Sequence, residues 1–223
     1  MTQLRRRKRS PTPSPGGRAC ERIPGRPSSV DAELIRIDIL RAARAAFIDN
    51  GYAGAGVEQI ARQGGVAKIT VYRRFGGKEQ LFAEVAEQAL REMHECFSAT
   101  HTELTEVRPV LEHIVAQLDA WSRDVSLQAI LQLVLREEER FPALVRRLQG
   151  EMDGLLATLA ERIQTWQADG QVQTGDVQLA ARQLIVLAAG TLHDLLSPER
   201  RMPAANWQSA VVRLLLQQWN SRA

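Results

Sequence analysis

The sequence has few of the features on which most enzymes and secreted proteins depend. Only two of its 223 residues are cysteines, Cys20 and Cys96, and neither a Cys-x-x-Cys pair nor a Cys/His zinc spacing is present. Gly-x-x-x-x-Gly-Lys, His-Glu-x-x-His and Gly-x-Ser-x-Gly are also absent, which removes the familiar phosphate-loop, zinc-hydrolase and serine-hydrolase motifs. We therefore expect no catalytic residue, no metal and no cofactor. Cys96 suits a small buried residue of an amphipathic helix better than a redox sensor.

Long apolar runs are missing as well. The longest, such as residues 184–189, fall far short of the roughly 18 residues that cross a bilayer, so no membrane segment is expected. Residues 5–9 are basic like the start of a signal peptide, but Pro, Ser and Gly follow where such a peptide would be apolar. Export is therefore not expected, and the predicted location is the cytoplasm.

The charge is divided unequally along the chain. The whole sequence has 29 Lys and Arg against 26 Asp and Glu, a formal net charge of +3. Residues 1–80 hold 16 basic and 7 acidic residues (+9), which leaves 13 against 19 (−6) for residues 81–223. A polyanion would bind the basic end, so nucleic acid is the predicted partner. Residues 1–29 are predicted to be a disordered basic arm, which either contacts DNA or is a solubilising or vestigial extension.

From residue 31 onward the apolar residues recur at helical spacing, without strand alternation or a fixed repeat. This pattern predicts an all-α protein of about nine helices. The first ends at Asn50 and Gly51, and the others are predicted at residues 57–63, 68–75, 78–97, 104–122, 124–139, 142–169, 176–196 and 204–220.

Residues 56–75 carry the most informative pattern. Two helices of about two turns, joined by a turn containing glycine, are too short to be stable alone and must pack on the first helix. Ile60, Val71 and Phe75 are predicted to face that three-helix core. The outward residues of the second short helix are Lys68, Ile69, Thr70, Tyr72, Arg73 and Arg74. Cations bind phosphates, hydroxyls bind phosphates or base edges, and Ile69 can contact a thymine methyl group. The alternative is a solvated basic face on a helical hairpin.

The run from residue 39 to residue 81 closely resembles the DNA-binding domain of the TetR/AcrR transcriptional regulators. The residues that carry the resemblance include Ala43, Phe47, Gly51, Tyr52, Val57, Ile60, Ala61, Gly65, Val66, Lys68, Thr70, Val71, Tyr72, Phe75, Lys78, Glu79 and Leu81. The resemblance implies a TetR-like fold, with a helix-turn-helix domain at 30–80 and a regulatory and dimerisation domain at 81–223. It also implies that residues 68–74 lie in the major groove, that Thr70 and Tyr72 contact bases or backbone, and that Lys78 touches a phosphate.

The chain departs from the family pattern at the start of both short helices. Ala55 and Gly56 replace the usual Thr-Ser, so a glycine caps the helix and a hydroxyl that commonly meets phosphate is lost. Ala67 and Ile69 stand where the family usually has Ser and then a small residue. Glycine caps nearly as well as serine, so we expect the fold to be kept while the operator affinity and base preference change.

The remaining two thirds of the sequence give two sets of candidates. Aromatic, Met and His side chains are typical of adaptable ligand pockets, although any single one is more often plain core or surface. The ligand candidates are Phe97, His113, Trp121, Met152, Trp166 and His193. The last two helices carry broad apolar stripes, which indicates that a second subunit covers part of them. The dimer candidates are Leu184, Leu187, Ala188, Thr191, Val211 and Leu215.

Two functions are compatible with these observations. The first is a repressor that binds double-stranded operator DNA as a homodimer and is released by a small hydrophobic or amphipathic effector. The second is a DNA-binding regulator or architectural protein without a small-molecule effector. A folded regulatory domain without a cavity would favour the second.

Overall fold

The computed structural model describes residues 29–100, 102, 104–190 and 202–220. Within these ranges the protein has nine helices and no strand, which confirms the all-α prediction. The helices are α1 (Ser29–Gly54), α2 (Val57–Gln63), α3 (Lys68–Phe75), α4 (Lys78–Ser98), α5 (Val107–Arg123), α6 (Val125–Arg136), α7 (Pro142–Ala168), α8 (Val177–Ala189) and α9 (Ala204–Trp219). None of the helices described there is both long and apolar enough to span a bilayer. Cys20 and the predicted basic arm, except for the backbone of Ser29, lie outside the described residues.

Most helices follow the predicted bounds, and four differ. Helix α5 begins at Val107, three residues later than predicted, and the other three end at a different residue for local reasons. The chain leaves helical geometry at Gly51 (φ 68°, ψ 175°) as predicted, but a further turn continues to Gly54. The sixth helix ends at Arg136, not at 139, because three consecutive glutamates at a helix C-terminus repel its negative dipole end. The eighth ends at Ala189, where Gly190 adopts φ 87°, and not at 196.

A cluster of four aromatic rings holds α1 against α4 and the start of α7. Phe82 of α4 lies 5.1 Å from both Phe47 and Tyr52 between ring centroids. Phe141, just before α7, lies 4.9 Å from Phe82 and 5.4 Å from Tyr52. The buried side of α4 continues through Met93 and Phe97 into the C-terminal helices, so one core connects both ends of the molecule.

The C-terminal helices pack around α5 and α8. Helix α5 contacts α8 and α9, and α7 also packs on α8. The buried carboxylate of Asp119 accepts hydrogen bonds from Arg123 Nε (2.8 Å) and Gln208 Nε2 (2.9 Å), so it joins α5 to α9. A buried carboxylate needs such partners because burial without them is costly.

Candidate DNA interface and effector cleft

The turn between α2 and α3 depends on two adjacent glycines. A Cβ on Gly64 would lie 3.3 Å from the carbonyl oxygen of Ile60 and 3.4 Å from the Cα of Ile39, so glycine allows α2 to approach α1 closely. Gly65 has φ 66°, a conformation that other residues rarely adopt. The amide of Val66 then donates to the Ala61 oxygen (2.9 Å), which closes the turn and fixes where α3 begins.

Helix α3 presents a polar outer surface, which we call the reading face and define as Lys68, Ile69, Thr70, Tyr72 and Arg73. Ile69 is 71% exposed and Tyr72 41% exposed, whereas Val71 and Phe75 are buried against the core. Lys68 and Arg73 are exposed, and Thr70 is partly buried. The predicted division of α3 into an inner and an outer side is therefore observed in the structure.

Two of the side chains predicted to contact DNA also form hydrogen bonds within the protein. Arg74 donates from Nη1 to the Ala32 carbonyl oxygen of α1 (2.9 Å), so its guanidinium holds α3 on α1 and is not part of the reading face. Lys78 donates to the Ala53 carbonyl oxygen (2.9 Å) and its Nζ lies 4.8 Å from the Tyr52 ring centroid. Burial lowers the pKa of Lys78, and the charge of Arg140 lowers it further. Lys78 thus links the start of α4 to the end of α1.

Helix α2 adds an acidic neighbour to the reading face. Glu58 Oε2 lies 3.6 Å from Lys68 Nζ, and both side chains are largely exposed. Such an exposed pair is worth little, so a phosphate can replace the carboxylate. Gly56 is the exposed N-cap of α2, without a side-chain cap and with open space around its Cα.

A cleft of about 580 Å³ opens between α5, α6 and α7. Its lining residues are Trp121, Gln128, Leu131, Gln132, Leu135, Leu148, Gln149, Met152 and Asp153. Leu131 and Leu148 are nearly fully buried, whereas Gln149 and Asp153 are exposed, so the cleft has an apolar floor and a polar rim. This volume is typical of sites for small organic ligands.

The structure brings together some of the six ligand candidates and separates others. Trp121 and Met152 line the cleft, and Phe97 packs edge-on to Trp121 with 5.4 Å between centroids. His113 lies elsewhere, with Nε2 2.5 Å from the Ala99 carbonyl oxygen. Trp166 is buried against Trp219 and lines neither the cleft nor the smaller cavity beside Phe97, so its observed place is the core. His193 lies outside the described residues.

The polar lining of the cleft is what sequence reasoning missed. Gln128 and Gln132 are four residues apart, as are Gln149 and Asp153, and each pair therefore lies on one side of its helix. Leu131 and Leu135, and Leu148 and Met152, show the same spacing. The sequence signal for this lining is therefore a polar pair and an apolar pair, each with a four-residue spacing, on both α6 and α7. Cys96 is not part of this lining, and burial raises the pKa of its thiol, which opposes thiolate formation.

The dimer candidates are mostly buried inside a single chain, which corrects their assignment to an interface. Leu184, Ala188, Val211 and Leu215 are at most 3% exposed because α8 and α9 pack on α5 and α7. Leu187 is partly buried, and Thr191 lies outside the described residues. The exposed apolar residues of these helices are Leu179, Val186 and Leu214. Gln218 of α9 donates to Gln183 of α8 (3.0 Å), so these residues lie beside a bonded glutamine pair.

Charged side chains connect α1 to the helices that carry the cleft. Arg44 donates from Nη1 to both carboxylate oxygens of Glu92 on α4 (2.7 and 2.8 Å). Its Nε donates to the Ser126 hydroxyl on α6 (2.9 Å), two residues before Gln128 at the cleft. Arg36 pairs with Glu84 of α4, and Arg147 of α7 pairs with Glu87. A displacement of α6 or α4 would therefore act directly on α1.

Comparisons with known proteins agree with this architecture. Residues 39–85 match the family described as bacterial regulatory proteins, tetR family, and residues 109–213 match the AefR-like transcriptional repressor C-terminal domain. The chain is 27% identical over 187 residues to the fatty acid metabolism regulator protein of Bacillus subtilis, across 81% of this chain and 93% of that protein.

Solved structures of transcriptional regulators also resemble this chain in fold. A TetR-family transcriptional regulator from Mesorhizobium loti superposes with a TM-score of 0.64 and 29% identity, over 85% of this chain and 98% of that one. The regulator FadR from Bacillus subtilis, solved with stearoyl-CoA, gives a TM-score of 0.58 at 24% identity, over 82% and 98% of the two chains.

Proposed function

Because this chain is a TetR-family transcriptional regulator, we propose that it is a ligand-responsive repressor that holds operator DNA on the reading face and releases it when a small molecule enters the α5–α7 cleft. The observation that carries the proposal is the reading face itself. It is a short helix, fixed by three helices behind it, whose outer side offers two cations, a hydroxyl, a tyrosine and an exposed isoleucine. These groups supply both phosphate binding and contacts to base edges.

We assign the DNA-contacting role to the reading face together with Gly56 and Lys78. Ala53 accepts only one of the three N–H groups of the Lys78 ammonium, so a phosphate near the start of α4 can accept another. Gly56 leaves the N-terminus of α2 uncovered, where free backbone N–H groups attract a phosphate. Residues 30–80 would then form the DNA-binding unit, and residues 81–223 the regulatory and dimerisation unit.

We propose that the protein works as a homodimer through a surface, called the dimer face, formed by Leu179, Gln183, Val186, Leu214 and Gln218. Three large apolar side chains are about half exposed or more there, next to the hydrogen-bonded glutamines. A second copy would bury them by twofold symmetry, with each α8–α9 pair completing a four-helix interface. Two reading faces would then meet two half-sites of one operator.

The effector signal would pass from the cleft to α1 through Arg44. A ligand that separates α6 from α7 moves Ser126 and the residues around it, and Arg44 transmits that displacement to α1 and α4. Helix α4 has 21 residues and spans about 30 Å, so a small tilt at the cleft displaces its DNA-proximal end. Because operator DNA lies in the bacterial cytoplasm, we place the working protein there.

The cleft favours an effector-controlled repressor over a regulator without an effector. A cavity-free helical body would have supported the second function, whereas about 580 Å³ of apolar-floored space is present. The similar Bacillus subtilis FadR holds stearoyl-CoA, so an apolar ligand is compatible with this fold. We propose a small hydrophobic or amphipathic effector.

The DNA-binding assignment is tested with an operator selected from random DNA. Tyr72→Ala and Arg73→Ala should each weaken specific binding by about 1–3 kcal/mol if they contact bases, and Arg73→Ala should lower the salt slope by about one. Arg213→Ala is the matched control, because Arg213 is an exposed arginine on α9, far along the chain from the reading face. Circular dichroism verifies the helical content. Unchanged operator affinity in both α3 variants would exclude the reading face.

A further inference from the structure

We infer that the α5–α7 cleft selects an organic cation with an apolar body, and not an anionic amphiphile such as an acyl-CoA. The inference rests on the proposed function, which makes this cleft the effector site.

The lining carries one charged side chain, and that charge is negative. Asp153 is exposed at the rim and has no ion-pair or hydrogen-bond partner among the described residues. The other polar groups of the lining residues are neutral: they are the amides of Gln128, Gln132 and Gln149 and the indole N–H of Trp121, which has no hydrogen-bond partner among the described residues. Among the residues that the structure describes, no lysine or arginine lines the cleft. An anionic headgroup at this rim would therefore lose its hydration without gaining a counter-ion.

The floor of the cleft indicates that the uncharged part of the ligand is apolar. Leu131 and Leu148 are buried and offer an apolar surface, and the indole of Trp121 forms one wall. Aromatic rings attract cations through the negative potential of their faces, and a carboxylate adds to that attraction. A ligand with its apolar body on the floor and its positive charge near Trp121 and Asp153 would match the apolar floor, the indole and the carboxylate. A phosphorylated carrier such as coenzyme A would bring several negative charges to the same rim, where Asp153 repels them.

The test uses two probes of nearly identical shape and opposite charge, tetraphenylphosphonium and tetraphenylborate. Isothermal titration of the full-length protein at fixed ionic strength should show the phosphonium bound at least about tenfold more tightly than the borate. Asp153→Asn should weaken phosphonium binding by about fivefold and should not weaken borate binding, as expected for a partly exposed charge pair. Glu161→Gln, an exposed carboxylate of the same helix outside the cleft lining, is the matched control and should change neither.

A second variant verifies where the probes bind. Leu135 lines the cleft but is 49% exposed, so Leu135→Ala removes apolar lining surface without adding an aromatic ring or disturbing the core. It should weaken both probes, and phosphonium binding that is unaffected by it would place the ligand elsewhere and overturn the inference.

The remaining outcomes separate the inference from the proposed function. Equal affinities, tighter borate binding, binding of neither probe, or an Asp153→Asn variant with unchanged phosphonium affinity would each overturn the inference. If stearoyl-CoA releases the protein from its selected operator and the phosphonium does not, the repressor function stands and the charge assignment is wrong. If no operator is bound under any condition, the proposed function fails, while the calorimetry still decides the charge preference.

Discussion

The reading face and the dimer face differ in how clearly their helices separate inside from outside. On α3, buried Val71 and Phe75 lie opposite a polar and cationic side. On α8, apolar residues occupy both sides, so Leu184 is buried in its own chain while Val186 is 65% exposed. A helix with one apolar side shows by its spacing which side faces the core, whereas a helix with two such sides must contact two partners. Burial in the folded chain is needed to tell which side meets which partner.

The largest effect should come from an α8 residue that belongs to the chain's own core. Leu184→Ala removes a fully buried side chain and should lower the free energy of unfolding by about 3 kcal/mol, measured by urea denaturation. Leu135→Ala, which truncates a half-exposed leucine of α6, should change it far less. A Leu184→Ala protein that keeps its stability but dissociates would reverse the roles of the two sides of α8.

The exposed side of α8 should govern association and not folding. Val186→Glu places a charge, duplicated by symmetry, in the proposed interface and should weaken dimerisation by about 2 kcal/mol, roughly thirtyfold. Sedimentation equilibrium measures the dissociation constant, and circular dichroism should remain unchanged. Val125→Glu is the control, because Val125 is 69% exposed on α6, outside the dimer face. If both variants dimerise like the parent, the dimer face is assigned incorrectly.

Arg44 should control communication between the two ends of the molecule. Arg44→Gln removes the charge that joins α1 to Glu92 and shortens the reach toward Ser126. An effector lowers the affinity for the operator, and the operator lowers the affinity for the effector, by one common factor. In the variant this factor should be about fivefold smaller, which is close to 1 kcal/mol of coupling free energy. The measurement is effector affinity with and without operator. Arg41→Gln, whose arginine pairs only with Asp38 of the same helix among the contacts described, should leave the coupling intact.

The smallest expected effect is a gain at the start of α2. Gly56→Ser restores a hydroxyl at a position with open space around it, and should tighten operator binding by a few tenths to about 1 kcal/mol. Gly175→Ser, at another open glycine far along the sequence from α3, should have no effect on operator binding. A weaker operator complex with Gly56→Ser would show that the DNA approaches α2 too closely for a side chain.

The sequence predicts the helices and the outer side of α3 well, because both depend on spacing within one helix. It does not predict that Arg74 turns inward, since its hydrogen-bond partner Ala32 is 42 residues away. The sequence does not predict the cleft either, because the cleft also depends on contacts between distant residues. Its polar rim forms only when α6 and α7 pack side by side, and the four-residue spacing of the polar residues on each helix does not show that the two helices meet. Local periodicity thus determines an element and its faces, whereas tertiary packing determines what each face meets.

Because the buried side of α4 belongs to one continuous core, we expect the molecule to unfold as a single cooperative unit. Phe82 at one end belongs to the aromatic cluster behind the reading face, and Phe97 at the other contacts Trp121 beside the cleft. A fragment that stopped at residue 80 would uncover Phe47 and Tyr52, so the DNA-binding helices depend on the rest of the chain to remain folded. A molecule bound in the cleft would accordingly raise the melting temperature of those helices as well. The effector that frees the repressor from DNA would then also protect it from proteolysis, which preserves it for the next round of repression.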